Sequence, residues 1–368
     1  MAEAIFWAAL AGIVYVYAGY PLVLLAWRKW GLPPVRKRRQ EPSVSLVIVM
    51  RNERRNVQAR MRNCFDLDYP AGKLQVIVSL DAPADDTETL VRDYEGKGVE
   101  VVSSPMHRGK AEALNSGVAI ATGEIVVFAD ARQRFEIGAV RELVANFADA
   151  SVGAVSGELL LLNEEAKETS DAAGVYWRYE KKLRALESDI HSVPGATGAI
   201  YAIRRELFAP LKAGTILDDV VTPMRIVLAG KRVIFDPAAR AYEVANGSAK
   251  SEYTRKTRTL AGNYQLFAQM PELLAPWRNP IFLQVVSHKL GRLLVPYCLA
   301  GLFVSNLFLR HGLYLVALVA QVLWYGLAAA GWLAAYTFVL MNWAAVAGLY
   351  YFVRGSRDIW NPAGTRRP

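Results

Sequence analysis

The side chains with chemical potential fall at the ends of short apolar runs. Arg51-Asn52-Glu53 follows the run 44–50, and Asp81 closes the run 75–80. A carboxylate at a strand end can hold the hydroxyls or the base edge of a nucleotide. Asp85 and Asp86, just behind it, read instead as the N-cap and dipole partners of the next helix. Gly109-Lys110 opens a helix-like stretch, where an ammonium beside free backbone amides suits an anionic phosphate. One Gly-Lys pair falls short of a phosphate-loop pattern, and a solvated lysine is the plain alternative. Asp130 closes the run 125–129, and an acid ending a buried strand is costly unless it is paired or bound to a metal. Asp218 and Asp219 precede an amphipathic stretch. One can cap that helix while the other acts as a base, although simple capping accounts equally well for the pair taken alone. Between these clusters, the small residues of 195–208 (GATGAIYAIRRELF) allow a substrate to approach closely. The histidines at 107, 191, 288 and 311 have no zinc-site spacing, so metal-dependent hydrolysis has no support.

The elements that must position these residues alternate. β-branched runs at 44–50, 75–80, 99–103 and 125–129 are interleaved with helix-like stretches near 53–65, 86–96, 108–121 and 136–148. That order predicts an α/β domain with a mostly parallel sheet and helices on both faces. Ligands of such sheets bind beyond the carboxyl ends of the strands, which are the loops that carry the polar clusters.

The chain has 368 residues, a net charge of +9 and 53% hydrophobic residues, with two cysteines far apart, at Cys64 and Cys298. Disordered, collagen-like and disulfide-framework classes are excluded. Residues 5–27 carry no charge and are long enough to cross a membrane, so 1–27 reads as a transmembrane helix. A basic linker, 28–41, follows, with Arg28, Lys29, Arg36, Lys37, Arg38 and Arg39, and the positive-inside bias places what comes next in the cytosol. The catalytic candidate is 42–276. Residues 277–292 read as an amphipathic interfacial helix or as the polar start of the next span. Residues 293–353 hold two or three further spans, and 354–368 is a basic tail. The cations of 28–39 and the tail account for the whole net charge, so the rest of the chain, central domain included, nets to zero. Such collars suit orientation and anionic membrane lipids, not a nucleic-acid groove.

In this order the clusters resemble a membrane-integrated family 2 glycosyltransferase, an inverting enzyme of the GT-A fold like the bacterial polysaccharide synthases. VIVMRNE is similar to the opening nucleotide-site motif of that family, and VSLDAPADDT to its second aspartate motif. RGKAEALNSGVAIATGEIVVFADAR resembles its Gly-Lys and Asp-x-Asp region, LDD its Thr-Glu-Asp motif, and RKTRT (255–259) its Gln/Arg-x-x-Arg-Trp motif. The likeness covers 44–265 and the flanking spans. It implies a Rossmann-like cytosolic domain, a nucleotide-sugar donor (a UDP-sugar), a lipid or glycan acceptor, and Mg or Mn. Carried over, Asn52 and Glu53 belong to the nucleotide site, Asp81 contacts the uracil or ribose, Lys110 the nucleotide, and Asp130 the metal and diphosphate. Asp219 takes the acceptor proton with Asp218 in the Glu position, and Arg255 and Arg258 steady the pyrophosphate.

Two positions depart from the pattern. Arg132 stands where the second Asp of Asp-x-Asp belongs, which weakens the expected metal site. Thr259 replaces the Trp that processive synthases use beside the acceptor, which sets a single-transfer, glycolipid-forming enzyme against a polysaccharide synthase. Arg132 also motivates a third reading, a nucleotide-sugar-binding subunit without catalysis.

Overall fold

The computed structural model describes residues 1–162, 171–244 and 249–355. The chain enters through α1 (Ala2–Val14), a π-turn at Tyr15–Gly19 and α2 (Tyr20–Trp27). It then builds a sheet of eight strands: β1 (Val44–Met50), β2 (Leu74–Asp81), β3 (Val99–Ser104), β4 (Ile125–Asp130), β5 (Arg134–Phe135), β6 (Val152–Leu162), β7 (Ile200–Arg204) and β8 (Arg232–Val244). Between and after them come α3 (Val57–Phe65), α4 (Thr87–Arg92), α5 (Lys110–Ala119), α6 (Ala139–Ala145), α7 (Asp171–Ile190), α8 (Asp218–Leu228) and α9 (Ala249–Gln269). The spatial order is β3-β2-β1-β4-β7-β6-β8-β5. β3, β2, β1 and β4 run parallel, whereas β7 is antiparallel to both its neighbours and β5 is antiparallel to β8. The sheet is therefore mixed, with a parallel nucleotide-binding half of the kind the alternation predicts.

Period-two alternation sorts each strand between two cores. Leu46, Ile48 and Met50 of β1 lie in one core with Val57 and Met61 of α3 and Val140 and Leu143 of α6. Val47 of β1, Ile77 of β2 and Phe128 of β4 face the other, with Leu114 of α5 and Val221 and Met224 of α8. Helices thus cover both faces. Register sets Met50 beside Leu80 and Val49 beside Asp130, so the loops that begin at Arg51, Ala82 and Ala131 leave the sheet along one edge. β1 lies between β2 and β4, which makes that edge the topological switch point of the sheet.

Among the described residues, four helices are long and apolar enough to cross a membrane: Ala2–Trp30, Phe282–Phe308, Gly312–Ala329 and Leu333–Arg354. The second is α10 (Phe282–Gln284), a π-turn at Val285–Leu290 and α11 (Gly291–Phe308), followed by α12 (Gly312–Ala329) and α13 (Leu333–Arg354). Residues 282–292 are thus the first turns of a continuous helix, and their polar side chains turn to protein: Ser287 Oγ meets Tyr15 Oη at 2.8 Å, and His288 Nδ1 meets Glu187 Oε1 at 2.8 Å. Part of the basic linker is likewise tied to the domain, since Lys37 Nζ donates to Asp236 at 2.8 Å and also to Glu142. Beyond Gly355 the tail lies outside the described residues. α13 crosses α9 where a Cβ on Gly348 would stand 2.8 Å from the Ala261 amide nitrogen, so the last span is docked on the helix that carries Arg255 and Arg258.

Gly123 holds the parallel half together at its lower edge. A Cβ there would stand 2.5 Å from the Ser45 amide nitrogen and 2.6 Å from the Val44 carbonyl carbon, atoms that cannot yield without moving β1. Gly123→Ala should lower stability by about 1–3 kcal/mol, read as a reduced thermal midpoint of the full chain in detergent. Gly138→Ala, which meets nothing within 4 Å, should leave the midpoint essentially unchanged.

Candidate active site

Three charged side chains meet beyond the carboxyl end of β4. Lys110, first residue of α5, places Nζ 2.8 Å from Asp130 Oδ1 and 3.6 Å from Asp218 Oδ2. Its helix starts from Gly109 at φ +94°, a left-handed conformation that a side chain would strain. Burial opposes the charge on Lys110, but Asp130 and Asp218 outweigh it and hold the ammonium above the ordinary lysine range. Burial pushes Asp218 up to about 6, against the pull of Lys110, and the neighbouring Asp219 and Asp130 add to the rise. Carboxylates crowded in this way stay together only around a cation.

Asp218 and Asp219 are the first two residues of α8, and Leu217 is its N-cap, so neither acid is the cap. Both sit in the first turn, where the helix dipole favours negative charge. Asp219 is held by the small-residue loop: Gly198 N–H donates to its Oδ2 at 3.1 Å and Ala196 N–H to its carbonyl at 2.7 Å. A Cβ on Gly198 would come within 2.9 Å of that Oδ2, so only glycine admits this bond without rearrangement. The close approach anticipated for 195–208 is therefore used first by the protein's own aspartate.

Asp81 is 3% exposed. Its Oδ1 accepts from Arg108 N–H at 2.8 Å, Gly109 N–H lies 3.1 Å from Oδ2, and His107 Nδ1 lies 2.6 Å from Oδ2. The carboxylate thus fixes the loop that delivers Lys110, while His107, whose Nε2 is 2.8 Å from Arg51, stands between Asp81 and solvent. Asn52, at φ +54°, accepts from Ala84 N–H at 2.7 Å and ties the β1 and β2 loops together. Glu53 donates its N–H to Thr87 Oγ1 at 2.8 Å and accepts from Asn56. Burial raises its carboxyl above the usual range, against Asn56 and Arg132. Asp85 accepts from Thr87 N–H at 3.0 Å, as a helix-start residue should, whereas Asp86 makes no capping bond and pairs with Arg54 at 3.6 Å.

Arg132 is largely exposed, and its Nε lies 3.7 Å from Glu53 Oε1. Among the described residues no group of three His, Cys, Asp or Glu side chains could hold a metal. Asp130 alone still suits a hard cation that keeps its waters and takes its remaining ligands from substrate phosphates. Arg255 and Arg258 lie on α9 one and two turns before Gly262, where a Cβ would stand 2.5 Å from Leu217 Cγ. That close approach brings their helix against the residue preceding Asp218.

The sequence reading missed several supports. Arg60 of α3 is buried, stacks 4.6 Å from the Phe135 ring centroid and donates to the Gln133 carbonyl at 2.8 Å, while Asn63 accepts from Phe135 N–H at 2.8 Å. The pair pins the loop after Asp130. A signal existed: both interrupt the apolar face formed by Val57, Met61 and Cys64. Arg184 of α7 donates to Thr197 Oγ1 and to Ser156 Oγ, each at 2.6 Å, and braces the loop under Asp219. Nothing in the sequence around 184 marks it.

Residues 45–211 match the model of the family described as glycosyl transferase family 2. A probable glycosyltransferase, YdaM, of Bacillus subtilis is 26% identical over 320 residues, 80% of this chain and 73% of that protein. A poly-beta-1,6-N-acetyl-D-glucosamine synthase of Staphylococcus epidermidis is 21% identical over 233 residues, 62% of this chain and 56% of the synthase, so the match spans little more than half of that relative. Among solved structures, a mannosyltransferase of Pyrobaculum calidifontis in complex with GDP-Man and Mn2+ superposes with a TM-score of 0.78 at 24% identity, covering 97% of this chain and 100% of that one. At that identity the likeness establishes the fold, including the flanking helices. The switch-point site lies within the matched segment or just after it, and the protein is a glycosyltransferase that is similar to family 2 over residues 45–211.

Proposed function

We propose that the protein is an inverting enzyme that moves a sugar from a nucleotide-diphosphate donor, a UDP-sugar in the reading from sequence, to a glycan or lipid-linked acceptor at the membrane. The observation that carries this reading is the meeting of Lys110 with Asp130 and Asp218, with Asp219 beside them on the first turn of α8. Asp219 takes the proton of the acceptor hydroxyl as its oxygen bonds to the anomeric carbon. The bond from that carbon to the diphosphate breaks on the opposite face, and the nucleoside diphosphate departs with the electron pair. Lys110, Arg132, Arg255 and Arg258 are the cations assigned to the leaving group. Asp130 would hold a divalent Mg or Mn, which when bound neutralises charge on the diphosphate oxygens. Asn52 and Glu53 belong to the nucleotide side, where Asp81 acts through His107 and the loop behind it.

The six cations of 28–39 support a cytosolic catalytic domain, and the balanced charge of that domain supports a partner other than nucleic acid. One observation favours single transfer over polymerisation. The Thr259 hydroxyl donates to the Arg255 carbonyl of its own helix at 3.0 Å, so the position offers no aromatic platform for a growing chain.

Asp219→Asn should lower kcat about 10²–10⁴-fold while leaving the affinity for UDP and GDP within twofold of wild type. Unchanged turnover would place the base elsewhere. With membranes, a panel of UDP- and GDP-sugars and one labelled donor, the product should run as a single species. A ladder of lengths would establish processive synthesis instead.

A further inference from the structure

A chain of three side chains crosses the crevice where β1 and β2 end. Asp81 closes β2, His107 lies in the loop before α5, and Arg51 follows β1. Both oxygens of Asp81 are taken. Oδ1 accepts from Arg108 N–H at 2.8 Å and from Gly109 N–H at 3.2 Å, while Oδ2 lies 3.1 Å from the Gly109 nitrogen and 2.6 Å from His107 Nδ1. A carboxylate has room for about four such bonds, so a base N–H could reach this one only by displacing His107 or the amides that deliver Lys110. The carboxylate accepts and a guanidinium only donates. The His107 proton therefore sits on Nδ1, and Nε2 accepts from Arg51 Nη1 at 2.8 Å. Asp81 thereby orients His107, and His107 orients Arg51.

Arg51 has donors to spare, and the chemistry above does not use them. Its Nε is buried without a hydrogen-bond partner among the described residues. The backbone beside the chain is strained at both ends. Asn52, at φ +54°, follows Arg51, and Ala82, at φ +44°, follows Asp81; among the described residues these are the non-glycine positions with positive φ. Strain of this kind collects at ligand clamps. Asn52 Oδ1 joins the two loops by accepting from Ala84 N–H at 2.7 Å. His107 stands three residues before Lys110, at most about 10 Å of chain, so a nucleotide whose diphosphate meets Lys110 can set its base at Arg51. A guanidinium held in place selects a base by what that base offers side by side. Guanine presents two acceptors, O6 and N7, on one edge, which is the match for a forked donor. Adenine sets an amino donor beside N7, and uracil sets a C–H beside O4, so neither fills the fork.

Resting on the reading of the crevice as a nucleotide-diphosphate donor site, we propose that Arg51, positioned by His107 on Asp81, reads the base through the O6 and N7 acceptors of guanine, so that the donor is a GDP-sugar rather than a UDP-sugar. Full-length protein in neutral detergent, at one fixed Mg2+ concentration, is titrated with GDP, IDP, 7-deaza-GDP, ADP, UDP and pyrophosphate. Wild type should bind GDP and IDP alike, since both carry O6 and N7, and about tenfold or more tightly than 7-deaza-GDP, ADP or UDP. Arg51→Met should bring GDP down to the level of 7-deaza-GDP and leave UDP unchanged. His107→Phe should lose most of the same preference, a ratio that a purely structural role would not move. The ratio of GDP to 7-deaza-GDP is read on the wild-type protein, so it decides the matter even where a variant fails to fold. UDP or 7-deaza-GDP binding wild type as tightly as GDP would overturn the base assignment and leave the donor site standing. IDP binding as weakly as UDP would move recognition to the 2-amino edge of guanine and overturn the role of Arg51, as would a preference preserved in folded Arg51→Met. If no nucleoside diphosphate binds more tightly than pyrophosphate, the donor site itself is overturned and the proposal with it.

Discussion

A partly buried ammonium among three carboxylates is the constraint on which this structure turns. Asp130, Asp218 and Asp219 come from two separate stretches of chain and repel one another, and Lys110 is the group that lets the first two share one crevice. Much of the surrounding architecture keeps that lysine and its partners in place. Asp81, spent on the backbone of 108–109, fixes the approach to α5, and Gly109 makes the turn. Arg60 and Asn63 fix the loop after Asp130, and the 195–198 loop fixes Asp219. An anion entering this crevice would compete for Lys110 with two carboxylates.

The membrane helices are built into the site as well as anchoring it. α13 lies against α9 through Gly348, and α9 lies against Leu217 through Gly262, so two glycine contacts connect the last span to the start of α8. On the other flank, Tyr20 and His288 share Glu187 of α7, the same helix that supplies Arg184 to the loop beneath Asp219. Burial opposes the charge of Glu180, yet Arg292 and His288 hold its carboxyl well below the usual range, so this junction stays ionised. A charged pair at such a junction contributes through its geometry, since removing one partner would strand the other.

Much of this was legible in the sequence because strands buried on both faces still alternate between two cores. The apolar runs 44–50 and 125–129 correspond to β1 and β4 to within a residue, and the polar residues at their ends lie at the site. What was not legible depends on contacts distant in sequence. Asp81 has the residue type and position of a ligand-binding carboxylate, and only its hydrogen bonds show it occupied by its own backbone. The antiparallel insertion of β7 between β4 and β6 has no local signature. Hydropathy does not distinguish polar residues that meet headgroups from those that meet protein, which is why 277–292 is open to two readings from sequence while Ser287 and His288 in fact face Tyr15 and Glu187.

The central claim, that Lys110 and its carboxylates form the diphosphate site, is tested most directly by comparing nucleoside and nucleoside diphosphate affinities in wild type and Lys110→Met. The account predicts that UDP or GDP binds the wild-type protein at least tenfold more tightly than uridine or guanosine, and that Lys110→Met abolishes this increment while nucleoside binding is kept. An increment that survives in the folded variant would contradict it and move the diphosphate away from α5.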